Sequence, residues 1–158
     1  MFTLKVRNIR MAFIIISITT SLEIQADPLQ QKVQDFLTGT MENKILIDSL
    51  DGIDLYEEIS YDFKSDGKFS AKVQSFYEFK DKRIIIDKAV VNKVGTYSIS
   101  DVNGNNAKLS LIVDGKTVSD TIKLPSVAEK LPSKIEKENL PIKSRSISIG
   151  DFELSPMK

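Results

Sequence analysis

Hydrophobic and polar residues alternate with period two over most of the chain beyond Thr40, and with a helical period only just before it. In Asp27–Leu37, residues Leu29, Val33, Phe36 and Leu37 fall at i, i+4, i+7 and i+8, one apolar stripe of a short helix. Asp27 suits its N-cap, Pro28 its first position, and Gly39 its stop. Ile45 and Ile47 then alternate with Leu46 and Asp48 in a first strand. Ile59, Tyr61 and Phe63 share one face of a second, opposite Ser60, Asp62 and Lys64. Asp66-Gly67 turns the chain into Phe69, Ala71 and Val73, and two alternating runs joined by Asp-Gly predict an antiparallel hairpin. The device recurs at Asn103-Gly104, between Tyr97/Ile99 and Ala107/Leu109/Leu111/Val113, and at Asp114-Gly115 before Val118, Ile122 and Leu124. Arg83 to Val91 is more continuously apolar and predicts a strand buried on both faces. Together these make a meander of about seven strands.

After Leu124 the pattern changes. Pro125, Pro132 and Pro141 punctuate a charged crossover over 125–141. Ser126/Glu129 and Ser133/Glu136 have the spacing of capping boxes, and Pro132 forbids one continuous helix, so two short helical turns are expected. Ile147, Ile149 and Leu154 alternate loosely with Ser146, Ser148 and Glu153 in a final strand, with Gly150 at a bulge. The fold class is therefore mainly β: a short helix, an antiparallel meander, a helical crossover and a last strand. Pairing the last strand with the first would close about eight strands into a barrel and remove both exposed edges. A β-sandwich is the alternative.

The segment before Asp27 has a different character. Lys5, Arg7 and Arg10 precede a 12-residue uncharged run, Met11 to Leu22, and Ile24-Gln25-Ala26 ends in a small residue. This is the layout of a cleavable secretory signal over residues 1–26, leaving 27–158 as one mature domain. The run is too short for the ~20 residues of a membrane-spanning helix, so no span is expected after cleavage. Met11 is a second candidate start. Export to the periplasm, the cell surface or the medium follows; 18 Lys against four Arg, with 20 Ile, fit a bacterial chain of AT-rich coding.

Composition removes most chemistries. The 158 residues include no Cys, His or Trp, which excludes disulfides, thiolate nucleophiles, imidazole bases and an ordinary zinc site. An exported domain without disulfides must rest on its apolar core. Loss of the leader leaves 19 positive and 21 negative charges, a balance that gives no long-range attraction to nucleic acid.

Thr38-Gly39-Thr40-Met41 resembles the Gly-x-Trp entry of lipocalins, Tyr61–Phe69 is similar to the second hairpin of bacterial lipocalin-like domains, and Gly95-Thr96-Tyr97-Ser98-Ile99 to their mid-chain strand. The resemblance spans most of 37–154 and implies a closed barrel with an interior ligand. Met41 stands where the family's tryptophan would cross the barrel base, and Arg145 is the residue available to cover that ring.

Seven of the ten aromatics beyond Ala26 lie between Tyr56 and Phe79. In a barrel of this size they either fill the interior or line a pocket. The candidate pocket residues are Tyr61, Phe63, Phe69, Phe76 and Tyr97. Asp51, Asp54, Glu57 and Glu58 crowd the loop before the second strand and are read as a solvated acidic loop rather than a catalytic carboxylate pair. Ser65-x-x-Lys68 lies in a hairpin turn, where a serine nucleophile would need a helix start. Asp101–Asn106 lacks the sixth-position Gly and twelfth-position Glu of a calcium loop. No catalytic, metal or cofactor site is expected. The function anticipated is an exported β-barrel holding a small apolar or amphipathic ligand; the alternative is a non-enzymatic envelope or host-facing structural or interaction protein.

Overall fold

The computed structural model describes residues 27–86 and 89–157. The leader expected over 1–26 lies outside them. Helix α1 runs Pro28–Leu37, with the Asp27 carboxylate accepting from the Leu29 N–H at 2.9 Å and Pro28 at the first position. Its stripe buries Val33, Phe36 and Leu37 completely, worth about 1.5–3 kcal/mol per side chain. Nine strands follow: β1 (Gly39–Leu50), β2 (Ile53–Phe63), β3 (Lys68–Phe79), β4 (Lys82–Ile85), β5 (Val91–Asn103), β6 (Asn106–Val113), β7 (Lys116–Lys123), β8 (Ile147–Ile149) and β9 (Phe152–Pro156). All pairings are antiparallel, and eight strands close into a ring in the order β1-β2-β3-β5-β6-β7-β8-β9. The fold is the closed barrel rather than the sandwich.

Eight strands result, six of them those the alternation predicts; the other two differ. Arg83–Val91 does not form a strand buried on both faces. Lys82–Ile85 forms β4, all four of its residues are exposed, β4 pairs with β3 outside the ring, and Val91 already begins β5. Continuous apolar character marked this run as interior, but among the described residues no second layer covers Lys82–Ile85. At the other end, the single last strand is two: Gly150 (φ +56°) sits in a tight turn rather than a bulge, and β8 and β9 make a hairpin. Asp51 (φ +53°) and Gly52 (φ +78°) join β1 to β2 directly, so Asp54, Glu57 and Glu58 belong to a strand, not an acidic loop. Asp114 and Gly115 are likewise both at positive φ, as a two-residue hairpin turn of this kind requires.

The ring is tight only around a belt. β9 meets β1 at Met41–Pro156 and Glu42–Ser155, and β8 meets β7 at Ile122–Ile149 and Lys123–Ser148. Beyond the belt, β1, β2 and β3 run on together with β4 as a four-stranded arm, in which Ile47 bulges between Leu46 and Asp48. Leu50, Ile53, Tyr77, Phe79 and Ile84 are exposed along it.

Inside the belt, α1 packs on a core of Met41, Phe63, Phe69, Tyr97, Ile99, Leu109, Ile122, Ile147 and Leu154. The crossover holds α1 in place. It contains one turn of 3-10 helix at Ala128–Lys130, helix α2 (Lys134–Glu138) and a second 3-10 turn at Ile142–Ser144. The capping box at Ser133/Glu136 forms, but Ser126/Glu129 does not, because the chain enters that turn at Val127 without a side-chain cap. From α2, the buried Lys137 ammonium donates to the carbonyls of Phe36 and Thr38 at the end of α1. It satisfies carbonyls the helix leaves open, at the end where a cation is favoured.

Burial, with Arg145 and Lys134 nearby, lowers the Lys137 pKa to about 8 from 10.5. Between those values the unfolded chain binds the extra proton, so this group makes the fold more stable as pH rises. Burial raises the Tyr97 pKa to about 12 from 10.0. Here the folded chain keeps its proton, so stability is lost as pH climbs above 10. Urea titrations should therefore show stability increasing from pH 8 toward 10 and falling beyond it. Lys137→Met should abolish the rise and leave the fall.

Candidate functional site

Register assigns the inward faces. Tyr61 opposes Met41 on β1 and Ala71 on β3, and Ala71 opposes Lys93 on β5, so these side chains share the barrel's inner surface. One step nearer α1, Phe63, Phe69 and Gly95 form the next row. The aromatics of the two rows touch one another. Tyr61 stacks on Phe63 at 5.8 Å between ring centres and leans on Phe69 at 6.5 Å; Phe63 meets Tyr97 edge-on at 4.9 Å. These are favoured aromatic geometries, and the cluster floors the open half of the barrel.

Above this floor the interior is not filled. A cavity of about 450 Å³ lies over Tyr61, Phe69 and Ala71, walled by Leu111, Val113 and Val118, with Lys93, Asp114 and Lys116 at its rim. Lys93 and Asp114 approach to 3.7 Å at that rim, a solvent-exposed pair that contributes little. On the other side of Tyr61 lies a smaller lobe of about 140 Å³, lined by Asn43, Ile59, Ile149, Phe152 and Leu154. Tyr61 is the side chain common to both. Its burial raises its pKa, so the phenol stays protonated and neutral.

The five sequence-derived pocket residues separate into three groups. Tyr61 and Phe69 line the larger lobe. Phe63 and Tyr97 are core beneath it: Phe63 is fully buried, and the Tyr97 hydroxyl donates to the Lys64 carbonyl at 2.8 Å. Phe76 lies on the opposite face of the sheet, since residues of even number on β3 point away from Phe69 and Ala71. There it stacks on Tyr56 at 5.5 Å, with the Arg83 guanidinium 3.7 Å from its ring centre and the Lys44 ammonium 3.8 Å from that of Tyr56. Arg83 also holds Glu58 through two hydrogen bonds of 3.1 Å. Burial works to raise the Glu58 pKa, but Arg83 and the Gln74 amide outweigh it and leave it lowered.

Asn43, Ile149 and Phe152 were not singled out by sequence. Asn43 follows Met41 at the strand period, which is the signal that places it inward; Ile149 alternates with Ser148 in the same way, but that it and Phe152 meet Asn43 depends on how β8 and β9 close the ring. The remaining sequence features are local structure. Asp66 in the Ser65–Lys68 turn accepts from the Lys68 N–H at 3.1 Å, and Asp54 accepts from the Ser49 hydroxyl at 2.6 Å. Among the described residues no three His, Cys, Asp or Glu side chains converge as metal ligands, and no helix is long and apolar enough to cross a membrane. Comparison with known proteins finds no family model, no curated protein and no solved structure that matches the chain.

Gly95 makes the floor possible. A Cβ there would lie 2.0 Å from the Ile112 carbonyl oxygen and 3.0 Å from the Phe69 ring, so only glycine lets β6 and Phe69 come this close. Gly95→Ala should cost about 3 kcal/mol in chemical denaturation, since a backbone carbonyl cannot rotate away as a side chain can.

Proposed function

We propose that this chain is an exported β-barrel protein, similar in plan to bacterial lipocalin-like domains, that carries a small apolar or amphipathic ligand in its mouth. The observation that carries the reading is the unfilled space on either side of Tyr61. A barrel whose only task was structural would gain by filling that volume with side chains, because unfilled volume forfeits dispersion contacts. The larger lobe lies within the range of small-molecule sites, and its wall is aliphatic and aromatic below a charged rim. The leader-like composition of 1–26 supports a carrier outside the cytoplasm. The role is non-enzymatic: ligand is held and released unchanged.

A second reading, an envelope or host-facing interaction protein, draws on the arm, whose exposed Leu50, Ile53, Tyr77, Phe79 and Ile84 exceed what scattered surface residues require. One titration separates the two. The protein of residues 27–158 should bind the neutral fluorophore N-phenyl-1-naphthylamine saturably, and Ala71→Trp, which fills the larger lobe, should weaken binding at least about tenfold. Absence of any saturable signal would leave the interaction reading in its place.

A further inference from the structure

The tip of the arm carries an apolar face that its own register assembles. Directly paired residues of antiparallel strands put their side chains on the same side of a sheet. Leu50, Ile53, Phe79 and Lys82 pair in turn across β1, β2, β3 and β4, and Asp48, Leu55, Tyr77 and Ile84 form the next row toward the barrel. Six neighbouring apolar side chains thus share one surface, Leu50 being 70% and Ile84 59% exposed. A shallow concavity of about 270 Å³ lies over Leu50, Ile53, Leu55 and Tyr77, room for side chains of a partner.

The two ionic residues of this face sit at opposite corners. Asp48 is on the β1 edge in the row nearer the barrel, and Lys82 is on the β4 edge in the tip row. Among the described residues neither is engaged in a salt bridge. Consider a two-fold axis lying in the face, through its centre and at right angles to the line from Asp48 to Lys82. It lays a second copy on the first with each Asp48 over the other copy's Lys82, so both pairs form at once. The face is complementary to itself in apolar surface and in charge. We infer that two copies of this chain pair face to face through the arm tip, by a two-fold contact that closes on itself instead of growing a fibre.

The charge balance favours this occupant over a membrane. Segments 48–54 and 78–83 hold five carboxylates against three cations, which an anionic lipid surface repels. At roughly 200 Å² for each such side chain, the exposed fractions of Leu50, Ile53, Tyr77, Phe79 and Ile84 leave about 500 Å² of apolar surface per copy. With the charged corners around it the contact approaches the ~800 Å² per partner of a standard interface, so association is reversible and concentration-dependent. Glu57 and Ser75 separate the mouth from the tip, and the inference does not depend on what the mouth holds.

Sedimentation equilibrium over roughly 1 to 500 μM tests it, with the mean mass expected to rise from one chain toward two. Asp48→Lys and Lys82→Glu each set like charges face to face and should weaken dimerisation at least about tenfold; the two together should restore it to within about threefold. Both positions are exposed, so circular dichroism and thermal unfolding should match the parent chain. A single chain at every concentration overturns the inference, and if that monomer floats with phosphatidylglycerol vesicles the face belongs to lipid. A dimer indifferent to the single substitutions, or not rescued by the double one, overturns the two-fold contact.

Discussion

Closure of the ring through the β8–β9 hairpin is the constraint on which the rest of the structure depends. The hairpin touches β7 at two residue pairs and β1 at two more, and without it the meander would be an open sheet with both edges exposed. Its side chains do as much as its ladder: Ile147 and Leu154 enter the core, while Ile149 and Phe152 wall the smaller lobe. Because the hairpin is short, closure is confined to a belt. That brevity divides the molecule into a packed base beneath the belt and an open half above it, and the cavities lie at the division.

The base is stabilised without any covalent cross-link. Helix α1 buries Val33, Phe36 and Leu37 of its stripe against the barrel interior, with Leu29 partly buried beside them, and Lys137 reaches in from the crossover to engage the carbonyls where the helix ends. Burying a lysine here carries a desolvation cost that the two carbonyl bonds offset only in part, as its depressed pKa shows. The aromatic layer of Phe63, Phe69 and Tyr97 sits directly above α1, so the plug supports the floor of the mouth. Fold stability and cavity shape are thus coupled through the same side chains.

Above the belt the two faces of the extended sheet serve different ends. The outer face of the arm is tied together by Lys44, Tyr56, Phe76, Arg83 and Glu58, an alternation of cations and rings that buries Phe76 without a second sheet. The inner face continues the barrel wall outward, but Glu57 and Ser75 break it between the apolar mouth and the apolar tip. The mouth and the tip of the arm are therefore separate surfaces.

Much of this was readable from residue order, because it depends on neighbours close in the chain. The helix at Pro28–Leu37 follows from its stripe and cap, the hairpins from Asp-Gly and Asn-Gly between alternating runs, and the capping box from Ser133 and Glu136. Alternation also placed Tyr61 and Phe69 inward, with Phe63 beside them. Phe76 shows where this reading stops: its aromatic character matched the others, but its even position on β3 turns it outward, and that needs the register. Arg83–Val91 looked interior because hydrophobicity alone does not say whether a second layer exists to cover it. The closure of the ring by β9 on β1 and the space around Tyr61 were set only by the tertiary structure. β9 and β1 pair residues more than 110 positions apart, and local sequence carries no record of which strands will meet once the ring has closed.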